Sequence, residues 1–260
     1  MRYLLPLCTL LLPLSTFAAT QNTSDKQWFN TAEFSHAEQN SLDAMVLSSS
    51  YYFAPQQNTG VWDDFGYLDT DSKVSASYTD TDFDNYFGLS GEAFYNNWFV
   101  NAQVQDLGEE GNHAIGFGYL YNDALKLSIT KHVRENDSDP FWLKAQYNHQ
   151  INESDYLGVT LDMQDDLDYW TVSTRYFKKL HGGAFFALDA SHSDGDESDS
   201  VTAFMASYYF NTNFAVGAGL NDSDLQLDAK YFFSDTYFLR AYYSNSDQGD
   251  LVSVAFNAYF

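Results

Sequence analysis

The stretch "HAIGFGYLYND", His113 to Asp123, alternates with period two. Ile115, Phe117, Tyr119 and Tyr121 fall on one side of an extended chain, and Ala114, Gly116 and Gly118 on the other. The next stretch, "LKLSITKHVRE", places Leu125, Leu127, Ile129 and Val133 opposite Lys126, Ser128, Thr130, His132 and Arg134. Such a pattern makes strands with one apolar and one polar face. About sixteen segments of this kind are expected, at roughly 27–37, 42–54, 72–81, 84–95, 98–106, 113–121, 125–135, 141–150, 156–165, 169–178, 183–193, 200–210, 214–221, 225–233, 237–245 and 251–260. Each is close to the about 9–11 residues of a tilted membrane strand. No internal repeat, low-complexity tract or Pro-rich linker divides the 260 residues.

The connections between the segments differ by parity. After odd segments they read "TDTDFD", "LGEEGN", "ENDSDP", "DDLD", "SDGDESDS", "NDSD" and "NSDQGD", and 19 of the 36 Asp and Glu of the chain sit there. After even segments they are tight, as in Asn96-Asn97, Asn122-Asp123 and "NTN", and aromatics precede them: Phe94 and Tyr95, Tyr121, Tyr208 to Phe210, Tyr231 to Phe233. An antiparallel meander sends odd and even connections to opposite ends. One end is therefore ringed by aromatics beside short turns and the other is acidic, the layout of a bacterial outer-membrane barrel with periplasmic turns and external loops. The expected fold is an all-β transmembrane antiparallel up-and-down barrel of about 16 strands, with 12–14 as alternatives.

A secreted β-sandwich would also alternate. It faces its apolar side inward and carries Gly/Pro-rich turns of mixed length, whereas this chain has aromatic bookends and small or polar opposite faces. The balance of 36 Asp+Glu against 12 Lys+Arg, a net charge of -24, argues against nucleic acid, whose phosphates need clustered basic side chains. Acidic disordered chains are poor in aromatics, but 18% of these residues are Phe, Trp or Tyr, so the chain folds and embeds them.

The N-terminus, "MRYLLPLCTLLLPLSTFAA", has Arg2, an apolar run from Tyr3 to Leu14 and small residues around Thr16 to Ala19. It reads as a secretory signal peptide, residues 1–19, cleaved after Ala18 or Ala19, which leaves residues 20–260 as one barrel domain. Cys8 lies inside the apolar run, not at a lipoprotein cleavage site, and the mature chain has no cysteine. Beyond the N-terminus nothing approaches the about 20 apolar residues of a membrane helix.

The chain ends "LVSVAFNAYF", with Val252, Val254, Phe256, Ala258 and Phe260 on one face and Leu251, Ser253, Ala255, Asn257 and Tyr259 on the other. This strand resembles the C-terminal signature of outer-membrane β-barrel proteins, and the resemblance implies an assembly signal at Phe256, Tyr259 and Phe260 read by the barrel assembly machinery. Near the start, "SSSYYFAP" (Ser48 to Pro55) followed by "GVWDDFGYLDTDSKVSASY" (Gly60 to Tyr78) resembles the general bacterial porin family of Gram-negative bacteria, which pairs a Tyr-Tyr-Phe strand end with a short acidic and apolar segment. The chain departs from the family's Pro-Leu-Ala-Glu type of segment at Val61, Trp62, Asp63 and Asp64.

Catalysis is not expected. His36, His113, His132, His149, His181 and His192 are scattered, and no Gly-x-Ser-x-Gly elbow appears. Asp194, Asp196 and Glu197 around Gly195 suggest a calcium loop, but the twelve-position spacing is missing, so a solvated acidic loop is expected there. Such loop carboxylates can bridge divalent cations to lipopolysaccharide phosphates. With the apolar face toward lipid, the lumen receives Lys126, His132, Arg134, Lys144, Arg175, Lys230 and Arg240, and acidic Glu92, Asp162, Asp189 and Asp228. Opposed charges in a wet channel set a transverse field and tune ion selectivity; the competing reading is that they pair and fill a closed interior.

These features make the expected protein a porin-like outer-membrane channel for passive diffusion of ions and small hydrophilic solutes, without cofactor or metal. The alternative is a non-channel barrel serving adhesion or envelope stability through its acidic loops. Expected partners are membrane lipid, lipopolysaccharide and the assembly machinery, with a homo-oligomer left open. No external connection is long enough to fold into the barrel, so any constriction is expected from side chains. The longest connection, roughly Pro55 to Asp71, is expected on the periplasmic side against the barrel rim, through Trp62, Phe65 and Tyr67.

Overall fold

The computed structural model describes residues 25–38, 42–108, 112–133, 140–196, 198–245 and 249–260. The expected signal peptide, Arg134 and Glu197 lie outside these residues. Sixteen strands form one closed antiparallel barrel: β1 (Lys26–Ala37), β2 (Leu42–Gln56), β3 (Lys73–Thr81), β4 (Asn85–Tyr95), β5 (Trp98–Val104), β6 (His113–Tyr121), β7 (Leu125–Val133), β8 (Phe141–Gln150), β9 (Tyr156–Gln164), β10 (Tyr169–Lys179), β11 (Phe185–Gly195), β12 (Ser198–Asn211), β13 (Phe214–Asn221), β14 (Asp224–Phe232), β15 (Tyr237–Ser244) and β16 (Leu251–Tyr259). Each strand pairs with its sequence neighbours, and β1 pairs with β16. The count of sixteen replaces the alternatives of 12–14.

Closure is made by the last residue. The Phe260 N–H donates to the Trp28 carbonyl at 2.8 Å, and the Phe260 carbonyl accepts from the Trp28 and Gln27 N–H groups at 2.9 and 2.6 Å. From there the register runs from Phe29 opposite Tyr259 to Ala37 opposite Leu251. In hydrocarbon each unpaired backbone group costs several kcal/mol, so a sheet crossing a membrane must close. The tight turns follow from residue chemistry. Asn96, Asn122, Asp123 and Asp222 adopt left-handed φ of 50–54°, which short Asn and Asp side chains tolerate. At the β10–β11 connection a single 3₁₀ turn, His181–Gly183, has Gly182 and Gly183 left-handed and delays β11 to Phe185, two residues later than the alternation suggested.

The two faces sort as the alternation requires. Ile115 and Phe117 are more than half exposed on the outside, while Ala114 and Leu120 are buried on the inside. Beside the short turns, Phe53, Tyr95, Trp98, Tyr121, Tyr231 and Phe233 form an exposed aromatic girdle. An apolar surface this continuous is untenable in water and is matched by lipid.

Candidate functional site in the barrel lumen

The link between β2 and β3, residues 57–72, does not lie along the rim. It folds into the periplasmic end of the lumen, so the constriction expected from wall side chains alone is instead supplied by a piece of chain. The inserted sequence explains why. Val61, Trp62, Phe65 and Tyr67 are interspersed with Asp63, Asp64 and Asp69, giving side chains for both the rings and the charges of the inward wall. Thr59 holds the tip, its hydroxyl donating to Asp64 Oδ1 at 2.6 Å and its N–H to the Asp64 carbonyl at 2.8 Å. Gly60, at φ +133°, passes so close to Phe185 that a Cβ would lie 2.6 Å from its ring.

Val61 is fully buried, in a cluster with Tyr156, Phe177, Phe185, Tyr209, Phe232 and Phe238. Trp62 meets Phe232 edge-on at 6.0 Å, and Phe65 meets Phe29 and Tyr259 at 5.0 and 6.0 Å. Tyr67 lies over a notch in β9, where a Cβ on Gly158 would sit 2.1 Å from its ring, and its hydroxyl shares a 2.6 Å hydrogen bond with Thr160.

Three carboxylates pin the segment to the wall. Asp63 Oδ2 accepts from Lys230 Nζ at 2.6 Å and from the Tyr209 hydroxyl at 3.3 Å. Asp64 Oδ2 accepts from Arg175 Nη2 at 2.8 Å and from the Tyr156 hydroxyl at 2.8 Å. Arg175 also donates from Nη1 to both Asp189 oxygens, at 2.9 and 3.0 Å, so its guanidinium bridges wall and segment. Asp69 is paired with Lys73 and accepts from the Tyr52 hydroxyl at 3.1 Å, while its carbonyl accepts from Lys126 Nζ at 2.7 Å. The segment thus spans the lumen from β1 and β16 to β7, β10 and β14. The Asp63 and Asp64 side chains are only 6% and 3% exposed. An unpaired ion at such depth costs several kcal/mol, so each contact is obligatory for the inserted position.

The inward residues anticipated from alternation are found in pairs: Lys126 with Glu92 at 2.5 Å, Lys144 with Asp162 at 3.2 Å, Arg175 with Asp189, and Arg240 with Asp228. Lys126 and Asp228 are buried, whereas Lys144 is 42% exposed to the open lumen. His132 lies 6.0 Å ring to ring from Trp142. At the end of the chain Phe256 and Phe260 pack outward on Tyr237, at 6.0 and 5.8 Å, and Tyr259 packs inward on Phe29 and Phe238, at 4.7 and 5.2 Å. Sequence reasoning missed Asp63, Asp64 and Asp69 as wall partners. Their signal was location: they are clustered in the longest connection at the aromatic end of the barrel, beside Trp62, Phe65 and Tyr67. Among the described residues no group of metal-ligating side chains is placed to hold an ion.

Beyond the inserted segment the lumen stays open along β2 to β9. One chamber of about 730 Å³ has a wall of Ser48, Ser50, Ser75, Ser77 and Ser90. A second, of about 550 Å³, adjoins it and is lined by Asn101, Trp142, Lys144, Gln146 and Asp162 among others.

A closed sixteen-strand barrel with a lipid-matched exterior, aromatic periplasmic girdle and polar chambers within defines an outer-membrane channel protein. The chain belongs to the family described as "Putative general bacterial porin", whose model matches residues 1–260. It is a general porin of the bacterial outer membrane, and porins are channel proteins rather than enzymes. The Acinetobacter baumannii outer membrane protein Omp33 is similar in fold, with a TM-score of 0.62 and 15% identity over 92% of this chain and 100% of that one. Two engineered variants of the Rhodopseudomonas blastica porin match with TM-scores of 0.58 and 0.59 at 11% and 10% identity, each over 90% of this chain and 99% of theirs. No curated protein sequence matches the chain.

Proposed function

We propose that the protein passes ions and small hydrophilic solutes by passive diffusion, and that residues 57–72 control the passage at its periplasmic end. The observation that carries this reading is the pinning of one short segment to the wall by Asp63–Lys230 and Asp64–Arg175, at 2.6 and 2.8 Å. Solute enters through the open chambers, past Lys144, Asp162 and His132, and must then pass the inserted segment. On this reading residues 1–19 direct export and are removed, residues 20–260 fold as one barrel, and the assembly machinery reads the strand ending at Phe260. The acidic external loops meet lipopolysaccharide through divalent cations, and the apolar exterior can support a homo-oligomer.

Single-channel recording of the refolded protein tests the reading. The intact protein is expected to give small or infrequent steps, and removal of residues 59–68 to give steps at least several-fold larger or longer. Identical steps would overturn the controlling role of the segment. An absence of steps from both forms would point to the adhesion or envelope-stability reading instead.

A further inference from the structure

The 550 Å³ chamber lies on the solute's path, and the function described so far gives it no role beyond passage. It sits within the about 300–1,000 Å³ of small-molecule sites. Resting on the diffusion reading, we propose that this chamber is a recognition subsite for uncharged polyhydroxylated solutes, of monosaccharide to disaccharide size.

Its charges are the first argument. Lys73 pairs with Asp69, Lys126 with Glu92 and Lys144 with Asp162, so every cation on its wall has a carboxylate beside it. A filter for ions instead concentrates one sign of charge. Between the pairs stand neutral groups that both donate and accept: Asn101, Gln103, Gln146, Ser128 and Thr130. Alternating donors and acceptors suit hydroxyl groups, which are both at once.

A flat apolar face completes the set. The Trp142 indole projects from β8 into the chamber wall, with the His132 ring at 6.0 Å and the Tyr169 ring at 5.9 Å. Rings packed in this way hold the indole in one orientation, and the C–H face of a pyranose stacks on such a surface while its edge hydroxyls reach the amides. The approach has the same character. Ser90 and Gln103 line both chambers, so the serine wall of the larger one leads directly into the smaller. Below, Lys126 donates to the Asp69 carbonyl of the inserted segment, so a bound solute would rest on the element that controls passage.

Saturation-transfer NMR on the full refolded chain in detergent tests this at equilibrium, with glucose, maltose, glycine and inorganic phosphate as probes. The two saccharides are expected to bind saturably in the millimolar range, glycine and phosphate not. Trp142→Ala should weaken saccharide binding about tenfold, Gln146→Leu should weaken it several-fold, and Trp170→Phe on the outer surface should leave it unchanged. If Trp142→Ala does not fold, Gln146→Leu and Asn101→Leu decide the matter. The proposal is overturned if saccharides show no saturable signal, if glycine or phosphate competes them away, or if the chamber variants bind as the intact protein does. Because no flux is involved, absent conductance steps would defeat the diffusion reading and leave this measurement intact, and the reverse holds equally.

Discussion

The two ends of the lumen are built from the same strands by the same alternation, yet one is a packed core and the other is wet. At the periplasmic end Tyr156, Phe177, Tyr209 and Phe232 are buried around Val61, and Lys230 and Arg175 face Asp63 and Asp64. Toward the outer mouth the inward residues are serines, amides and the half-exposed Lys144–Asp162 pair. The wall alone does not make this difference. Sixteen strands enclose more space than their own side chains fill, so the large rings at the periplasmic end would be stranded in water without Val61, Trp62 and Phe65 to cover them. Inward aromatics at the lower end and small polar residues above therefore record in the wall which part of the barrel receives an insert.

The comparison is broken most severely by removing one partner of a buried pair. Arg175→Gln strips the cation from both Asp64 and Asp189, and Asp64 is only 3% exposed. Leaving a buried charge uncompensated costs about 3 kcal/mol or more, and the segment can avoid that cost by leaving the lumen. The expected outcome is a lower urea midpoint for unfolding in lipid vesicles together with longer channel openings; a variant matching the intact protein in both would show that Arg175 does not hold the insert.

A gentler break works by shape alone. Gly158→Val places side-chain atoms where the Tyr67 ring lies, since even a Cβ would be 2.1 Å from it. Overpacking of this kind costs about 1–3 kcal/mol, and here it falls on the inserted segment rather than on the β9 ladder. Protease cleavage within residues 57–72 of the inserted barrel should become faster than in the intact protein, with the barrel itself still resistant. Cleavage at an unchanged rate would mean that the notch does not seat the insert.

How much of this was legible in the sequence follows the same divide. Strand number and faces were readable, because lipid outside and water inside impose a strict period of two. The inward position of Lys144, Asp162 and Asp189 came from the same period. The insert was not readable, since residues 57–72 have no periodicity and their destination depends on a wall assembled from strands more than a hundred residues away, as with Asp63 and Lys230. Trp62, Phe65 and Tyr67 signalled that the segment packs against something. Only the closed barrel shows that the surface is the inner wall.

The wet half supplies the mildest and most specific test. Lys144 and Asp162 are 42% and 26% exposed, so their pair is screened by water and contributes at most about 1 kcal/mol to stability. Lys144→Gln should therefore leave urea unfolding almost unchanged, in contrast to Arg175→Gln. Its effect should be on ions, because Asp162 is left as an uncompensated negative charge in the open chamber. Reversal potentials under a salt gradient are expected to move toward cation selectivity in Lys144→Gln, toward anion selectivity in Asp162→Asn, and back to the starting value when both changes are combined. A shift of the same sign in both single variants would mean that the pair does not face the permeating path. An unchanged potential alongside a large loss of stability would mean that the outer half is as dry as the inner one, and the contrast between the two ends would fall with it.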